Sequence, residues 1–260
     1  MKNPQSILIT GASGGIGAAL ARAYAAPGVA LALTGRDARR LDAVAADCRA
    51  AGAAVETALL DVTDQDAIAF WVTAIDRANP LDLVIANAGV QGGGLVPGGG
   101  GESLSEVRRI MGTNFGGTCN TIHAVIPLMR SRRRGQIALI SSLAAIRGLP
   151  YFAAYCASKA ALKSYGEALG SWLRPEKIAV SVVLPGFVET AMSRQLTGPK
   201  PFMTDAAHAA RIIRRRLARG HRRIAFPWLL HLGSVLLSHM PAWFADWLLA
   251  REKVSVGPRV

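Results

Sequence analysis

The sequence predicts one α/β domain built on a doubly wound, mainly parallel sheet with helices on both faces. Three observations predict it. Short apolar runs alternate with longer helical stretches from Ile7 to Leu184, a rhythm that calls for crossover connections between parallel strands. A glycine-rich turn at residues 11–17 joins the first apolar run to the first helical stretch. The chain has 260 residues, 51% hydrophobic and 18% charged, which suits one sizeable core without a second domain.

The elements follow in order. Ile7 to Thr10 reads as a buried strand, Gly11 to Gly17 as a turn, and Ala18 to Ala26 as an Ala-rich helix stopped by Pro27-Gly28. Val29 to Thr34 is a second strand, and Ala38 to Ala51 a helix. Val55 to Leu60 is a third strand closed by Asp61; Asp64 caps the next helix, which reaches Ala78. Leu83 to Ala86 is a fourth strand. The stretch Gly92–Gly94 with Gly98–Gly101 reads as a surface insertion at that strand's C-terminal end. Ser103 or Ser105 caps a long helix running to Met129, Gln136 to Ser141 is a fifth strand, Tyr151 to Leu173 is helical, and Ile178 to Leu184 is a sixth strand ending at Pro185-Gly186.

Two groups of residues carry chemistry. In the turn, Gly11, Gly14, Gly15 and Gly17, with Ser13 and Ile16 among them, let backbone approach a ligand closely. The following helix presents free N–H groups to a pyrophosphate. No Lys-Ser/Thr pair follows, which argues against nucleoside triphosphate hydrolysis. The end of the second strand should choose the dinucleotide. An acidic residue there would bind ribose hydroxyls; this chain has Gly35 and then Arg36, which suits a 2′-phosphate, so the expected cofactor is NADP(H).

The second group is Tyr155 and Lys159, four residues apart, with Ser142 thirteen residues before the tyrosine. On a helix, positions i and i+4 share a face. An ammonium under a phenol stabilises the phenolate and lowers its pKa, and a serine beside it can orient a carbonyl or alcohol oxygen. The bare spacing is common on amphipathic helices with a snorkelling lysine, so the rest of the chain gives it weight.

Composition bounds the partners. The formal charge is +13, with clusters at Arg132–Arg134 and between Arg211 and Arg223. No basic groove interleaved with aromatics and no nucleic-acid motif accompanies them, so no nucleic-acid partner is expected. Cys48, Cys119 and Cys156 lack metal-ligand spacing; they read as free thiols, and no metal is expected. Met1 to Ser6 is short and polar and carries no signal-peptide pattern, so a cytoplasmic protein is expected.

Beyond Thr190 the sequence changes character. Ala191 to Thr204 reads as a lid, with Met192, Leu196, Phe202 and Met203 pointing to an apolar substrate. Thr204 or Asp205 caps an arginine-bearing helix. Ile224 to Ala245 has no Asp, Glu, Lys or Arg but contains Pro227, Pro241, His231 and His239, which argue against a simple bilayer-crossing helix. Contact with an anionic membrane surface, packing on the lid and packing on a second subunit are all open for this segment.

The motifs Thr10-Gly11-x-x-x-Gly15-x-Gly17, Asp61-Val62, Asn87-Ala88-Gly89, Asn114, Ser142, Tyr155-x-x-x-Lys159 and Pro185-Gly186 stand in one order and spacing. In these, residues 6–192 resemble the short-chain dehydrogenase/reductase family, in its compact single-domain branch. The resemblance implies a Rossmann-type fold over the whole chain, with a C-terminal lid and extension over residues 191–260. It implies Tyr155 as general acid in carbonyl reduction and as a cofactor contact, and Lys159 as the group that tunes it and holds the nicotinamide ribose. Ser142 would hold the substrate oxygen, and Asn114 would fix a water linking Lys159 to solvent. Asp61 and Val62 would flank the adenine, supported by Asn87, Ala88 and Gly89; Val188 and Thr190, after Pro185-Gly186, would hold the carboxamide. It also implies a homodimer or homotetramer. The expected activity is NADP-dependent hydride transfer between nicotinamide and a carbonyl or secondary alcohol, reducing an apolar or lipid-like ketone. A 3-oxoacyl reductase of lipid synthesis and a non-catalytic NADP-binding sensor or scaffold are the alternatives.

Overall fold

The computed structural model describes residues 2–92, 102–251 and 255–256. Seven strands form one parallel sheet: β1 (Ser6–Thr10), β2 (Ala30–Gly35), β3 (Ala54–Leu59), β4 (Leu83–Ala86), β5 (Gly135–Ile140), β6 (Ile178–Pro185) and, at one edge, Arg223–Phe226. The order from that edge is Arg223–Phe226, then β6-β5-β4-β1-β2-β3. The order reverses between β1 and β4, and in such sheets ligands bind beyond the strand ends at that reversal.

The inner strands β1, β4 and β5 are buried on both faces, which is why they read as continuous apolar runs, whereas the edge strand β3 is half-buried to exposed along its length. Ile7, Ile9, Leu31, Leu33 and Ile85 point to one face, under α1 (Gly15–Tyr24) and α2 (Ala38–Ala50). Leu8, Ala32, Val84, Ala86 and Leu139 point to the other, under α3 (Gln65–Ala78), α5 (Gly117–Ser131) and α6 (Ala153–Trp172). The two-residue period of a strand supplies both cores from one sequence. The Asp64 carboxylate accepts from Ala67 N at 3.0 Å and so caps α3, as its position predicts.

Three departures matter for the site. First, α1 begins at Gly15, three residues before the sequence suggests, so its free N–H groups lie inside the glycine turn. Second, the long helix capped by Ser103 is not uniform. It consists of α4 (Leu104–Met111), a π turn at Gly112–Gly116 containing Asn114, and α5. A π turn inserts a residue into the helical ladder, a feature frequent at functional positions. Third, the apolar segment from Ile224 is not one long helix: it opens inside the sheet's edge strand and continues as two shorter helices.

Short pieces complete the chain: β7 (Val188–Glu189), α7 (Ala191–Arg194), β8 (Leu196–Thr197), β9 (Thr204–Asp205), α8 (Ala206–Ala218), β10 (Arg223–Phe226, the sheet's edge strand), α9 (Trp228–His239), α10 (Ala242–Arg251) and β11 (Ser255–Val256). β7 pairs with β9, and β8 with β11. Asp205 rather than Thr204 caps α8, accepting from His208 N at 2.7 Å. Among the described residues, no helix is long and apolar enough to cross a membrane. The glycine insertion lies mostly outside the described residues.

The arginine triplet is structural. Arg132 makes a bidentate pair with the buried Asp76 and donates to Leu81 O, Arg133 donates to Pro175 O, and Arg134 pairs with Asp82. These contacts tie the end of α5 to the regions around α3, β4 and α6, and they give the basic cluster a role within the fold.

Candidate active site

The glycine turn is held from behind. Asn87, just past β4, donates through Nδ2 to Thr10 O at 3.0 Å and Gly11 O at 3.1 Å, and the Thr10 hydroxyl accepts from the N–H groups of Asn87 and Ala88. Gly11 has φ of +65°, and a Cβ there would lie 2.8 Å from Ala88 Cα. A Cβ on Gly17 would lie 2.3 Å from Gly11 O. Gly17 is therefore a packing residue that lets α1 close on the turn, and it does not line the cleft. Gly14 faces open space: nothing lies within 4 Å of a Cβ built on it. The turn is thus a cradle closed on its protein side and open on the other, a shape that fits the pyrophosphate of a nicotinamide dinucleotide.

From this cradle a cleft of about 740 Å³ runs along the strand ends. Gly11, Ser13, Gly14, Gly15, Ile16, Arg36, Asp61, Val62, Asn87, Ala88 and Gly89 line one end. Ser142, Tyr155, Lys159, Pro185, Gly186, Val188 and Thr190 line the middle. The sequence-predicted residues are therefore brought together, with Gly17 and Asn114 just behind the surface. Arg40, in the first turn of α2 and four residues beyond Arg36, lines the same end; the Arg-x-x-x-Arg spacing could have signalled it.

At the β2 end, Arg36 pairs with Asp61 at 3.4 Å, both side chains well exposed. The 2′-phosphate reading of Arg36 thus acquires a neighbouring carboxylate from the end of β3. An exposed pair of this kind contributes about 0–1 kcal/mol, so a stronger anion can displace Asp61. Backbone and side-chain hydrogen bonds from Thr63, and Arg36 beside it, hold the Asp61 carboxyl below its ordinary range.

The reactive hydroxyls sit where β5 and α6 meet. The two serines at the end of β5 divide their roles: Ser141 is buried and donates to Lys159 O at 2.7 Å, while Ser142 donates to Pro185 O at 3.5 Å and stands beside Tyr155, where it partly offsets the upward push of burial on the phenol. Ser142 also accepts from Ala144 N at 3.1 Å, which fixes its side chain.

Lys159 is 5% exposed and its Nζ donates to Ile140 O at 3.0 Å. Burial pulls its pKa down to about 8, and burial pushes Tyr155 up to about 12. The expected lowering of the phenol by the ammonium is not what the site displays. Lys159 Nζ lies 5.8 Å from the Tyr155 ring centroid, and desolvation dominates both groups.

Asn114 is fully buried in the π turn. Its Oδ1 accepts from Val90 N at 2.7 Å, and its Nδ2 donates to Val90 O and to Ser158 Oγ. Its backbone carbonyl accepts from the Thr118 hydroxyl at 2.8 Å. The side chain therefore joins the loop after β4 to α6, holding Gly89 against Lys159: a Cβ on Gly89 would lie 3.4 Å from Lys159 Nζ. Cys156 points away from the reactive hydroxyls. Its sulfur accepts from Leu149 N at 3.4 Å, and burial pushes the thiol up.

The far end of the cleft is walled by Leu143, Phe187, Met192, Leu196 and, from α9 and α10, Leu230, Leu237 and Leu249. The C-terminal segment thus packs on this cleft. Trp228, Leu232, Leu236, Trp243 and Trp247 on the same two helices remain largely exposed.

Comparison with known proteins agrees with this geometry. The family model for short chain dehydrogenase matches residues 5–200. An uncharacterized oxidoreductase from Myxococcus xanthus is 37% identical over 238 residues, covering 91% of this chain and 93% of its own length. The structure of a short-chain dehydrogenase from Sphingobium yanoikuyae in complex with NADPH superposes with a TM-score of 0.76 at 27% identity, covering 95% of this chain and 93% of that one. A short chain dehydrogenase/reductase from Burkholderia phymatum in complex with NAD reaches a TM-score of 0.82 at 22% identity, covering 100% and 99%, and shares the fold. With a glycine cradle, a Ser-Tyr-Lys constellation in one cleft and relatives matched over nearly their whole length, the chain belongs to the short-chain dehydrogenase/reductase family of oxidoreductases.

Proposed function

We propose that the protein is an NADP(H)-dependent reductase of apolar ketones. The observation that carries this reading is the single cleft in which Ser142, Tyr155 and Lys159 stand between a dinucleotide cradle and an apolar wall. When bound, the nicotinamide supplies the hydride. Ser142 donates a hydrogen bond to the ketone oxygen and fixes the carbonyl beside Tyr155. As the carbon gains its hydrogen, the carbonyl π pair moves onto oxygen, and the Tyr155 hydroxyl gives that oxygen its proton. A phenol pushed up to about 12 by burial is a weak acid, so the phenolate left behind needs Lys159 as its cationic neighbour. Asn114 and Ser141 act on Lys159 and α6 by position rather than by proton transfer. The protein's contribution is orientation and electrostatics, with water kept from the carbonyl by α9 and α10.

Arg36 and Arg40 at one end of the cleft support NADP(H) over NAD(H). Comparing NADPH and NADH consumption with a panel of small, steroid-like and long-chain ketones tests the assignment. NADPH should be favoured at least tenfold, and Arg36→Asp should reverse the preference; equal efficiency with both cofactors would overturn the assignment.

The exposed Trp and Leu side chains of α9 and α10 favour a second element of the same reading, peripheral contact with an anionic membrane from which an apolar ketone enters. The competing occupant of that face is a second copy of the chain.

A further inference from the structure

The charged groups lining the cleft fall into three places. Arg36, Asp37, Arg40 and Asp61 lie at the dinucleotide end, and Lys159 belongs to the reactive centre. Arg147 stands apart from them, on the loop after Ser142, facing the wall made by α9 and α10. That loop is pinned to α6 through Leu149 N and the sulfur of Cys156, one residue from Tyr155.

Arg147 is three-quarters buried. Among the described residues its one hydrogen-bonding partner is Asp246 on α10, at 2.7 Å, and that carboxylate is 68% exposed. This is an unbalanced pair. A guanidinium has five N–H donors in a planar fork, and here one is engaged. Burying the cation costs desolvation, which a single exposed carboxylate offsets poorly. A helix latch alone would be served as well by two exposed side chains. A guanidinium sunk in a cleft with most of its donors open is suited to a planar, bidentate anion arriving in the cleft.

We propose that Arg147 is the recognition site for an anionic group carried by the substrate, with Asp246 as the internal counter-ion that the substrate displaces. The proposal rests on the ketone-reductase reading and narrows it. The substrate is an amphiphilic keto compound: its carbonyl at Ser142 and Tyr155, its apolar body against Leu230, Leu237 and Leu249, its carboxylate or phosphate at Arg147. Asp246 keeps the arginine neutralised until that group arrives, so it competes with the substrate.

The opposite roles of the two residues make the test decisive. Binding of a medium-chain methyl-ketone carboxylate, its methyl ester and the corresponding keto-alkyl phosphate is measured by titration calorimetry, and kcat/KM for the same compounds with NADPH. Wild type should favour the anions over the ester. Arg147→Leu should lower the anion-to-ester ratio at least tenfold, and Asp246→Asn should raise it severalfold; the larger of the carboxylate and phosphate effects identifies the group. Thermal unfolding checks that each variant folds; if Arg147→Leu does not, Asp246→Asn alone decides by the sign of its change. A ratio unchanged in both variants, or shifted in the same direction by both, would overturn the proposal and leave the pair a simple latch. Absence of ketone turnover would count against the reductase reading, while the calorimetric ratio still decides the role of Arg147.

Discussion

Tyr155 and Lys159 sit four residues apart on α6, yet the helix alone does not make them a catalytic pair. Ser141 and Ile140 capture the backbone and ammonium ends of Lys159, and Asn114 holds Gly89 against it. The spacing was legible in the sequence; the burial that sets both pKa values was not, because it depends on what β4, β5 and the π turn bring over the pair. That burial has a measurable consequence. Lys159 is depressed to about 8 from an ordinary 10.5, so between those values the unfolded chain binds more protons than the folded one. Stability contributed by this group therefore rises with pH across that window, by about 1 kcal/mol between pH 7 and 9. Thermal or denaturant unfolding of the wild type and Lys159→Met at both pH values should show the gain in the wild type and not in the variant. A wild-type gain no larger than that of the variant would contradict the assigned burial.

At the scale of elements, the turn between β1 and α1 shows that its glycines are not equivalent. Gly17 lets α1 pack on Gly11 and Asn87, whereas Gly14 faces the open side of the cradle. The sequence pattern marks both as dinucleotide contacts and cannot separate them, since the distinction arises from where Asn87 returns after β4. Gly17→Ala should destabilise the fold by about 1–3 kcal/mol through overpacking. Gly14→Ala should leave the melting temperature within a degree or so and weaken NADPH binding instead. Calorimetric melting and fluorescence titration separate the two, and a stable Gly17→Ala with undiminished affinity would refute the division. Six of the seven sheet strands were legible as apolar runs closed by glycine, asparagine, aspartate, serine or Pro-Gly. β10 was missed because its four residues merge with the apolar sequence that continues into α9, with only Pro227 between them.

For the whole molecule, the C-terminal segment changes meaning once folded. Read as a string, residues 224–245 approach the length of a membrane span. Folded, they divide into an edge strand and two short helices whose inner side walls the cleft. The outer side keeps Trp228, Leu232, Leu236, Trp243 and Trp247 exposed. Each such side chain that enters lipid contributes about 1–2 kcal/mol. Co-sedimentation with anionic vesicles should therefore fall at least tenfold in a Trp228→Ser, Leu232→Ser, Trp243→Ser variant, while phosphatidylcholine vesicles bind the wild type weakly. Vesicle binding unaltered by the three substitutions would exclude this face as a membrane contact. Sedimentation equilibrium reporting a dimer in the wild type and a monomer in the triple variant would assign the face to a second copy.

These scales meet at the hydroxyl of Tyr155. Removing that one oxygen leaves the cradle, the apolar wall and the fold in place and takes away only the proton. The rate of NADPH oxidation by Tyr155→Phe with a ketone that the wild type reduces is the most direct measurement. A loss of about 10²–10⁴-fold in kcat with unchanged NADPH affinity is the predicted result. Retention of wild-type kcat would contradict the assignment of Tyr155 as the general acid.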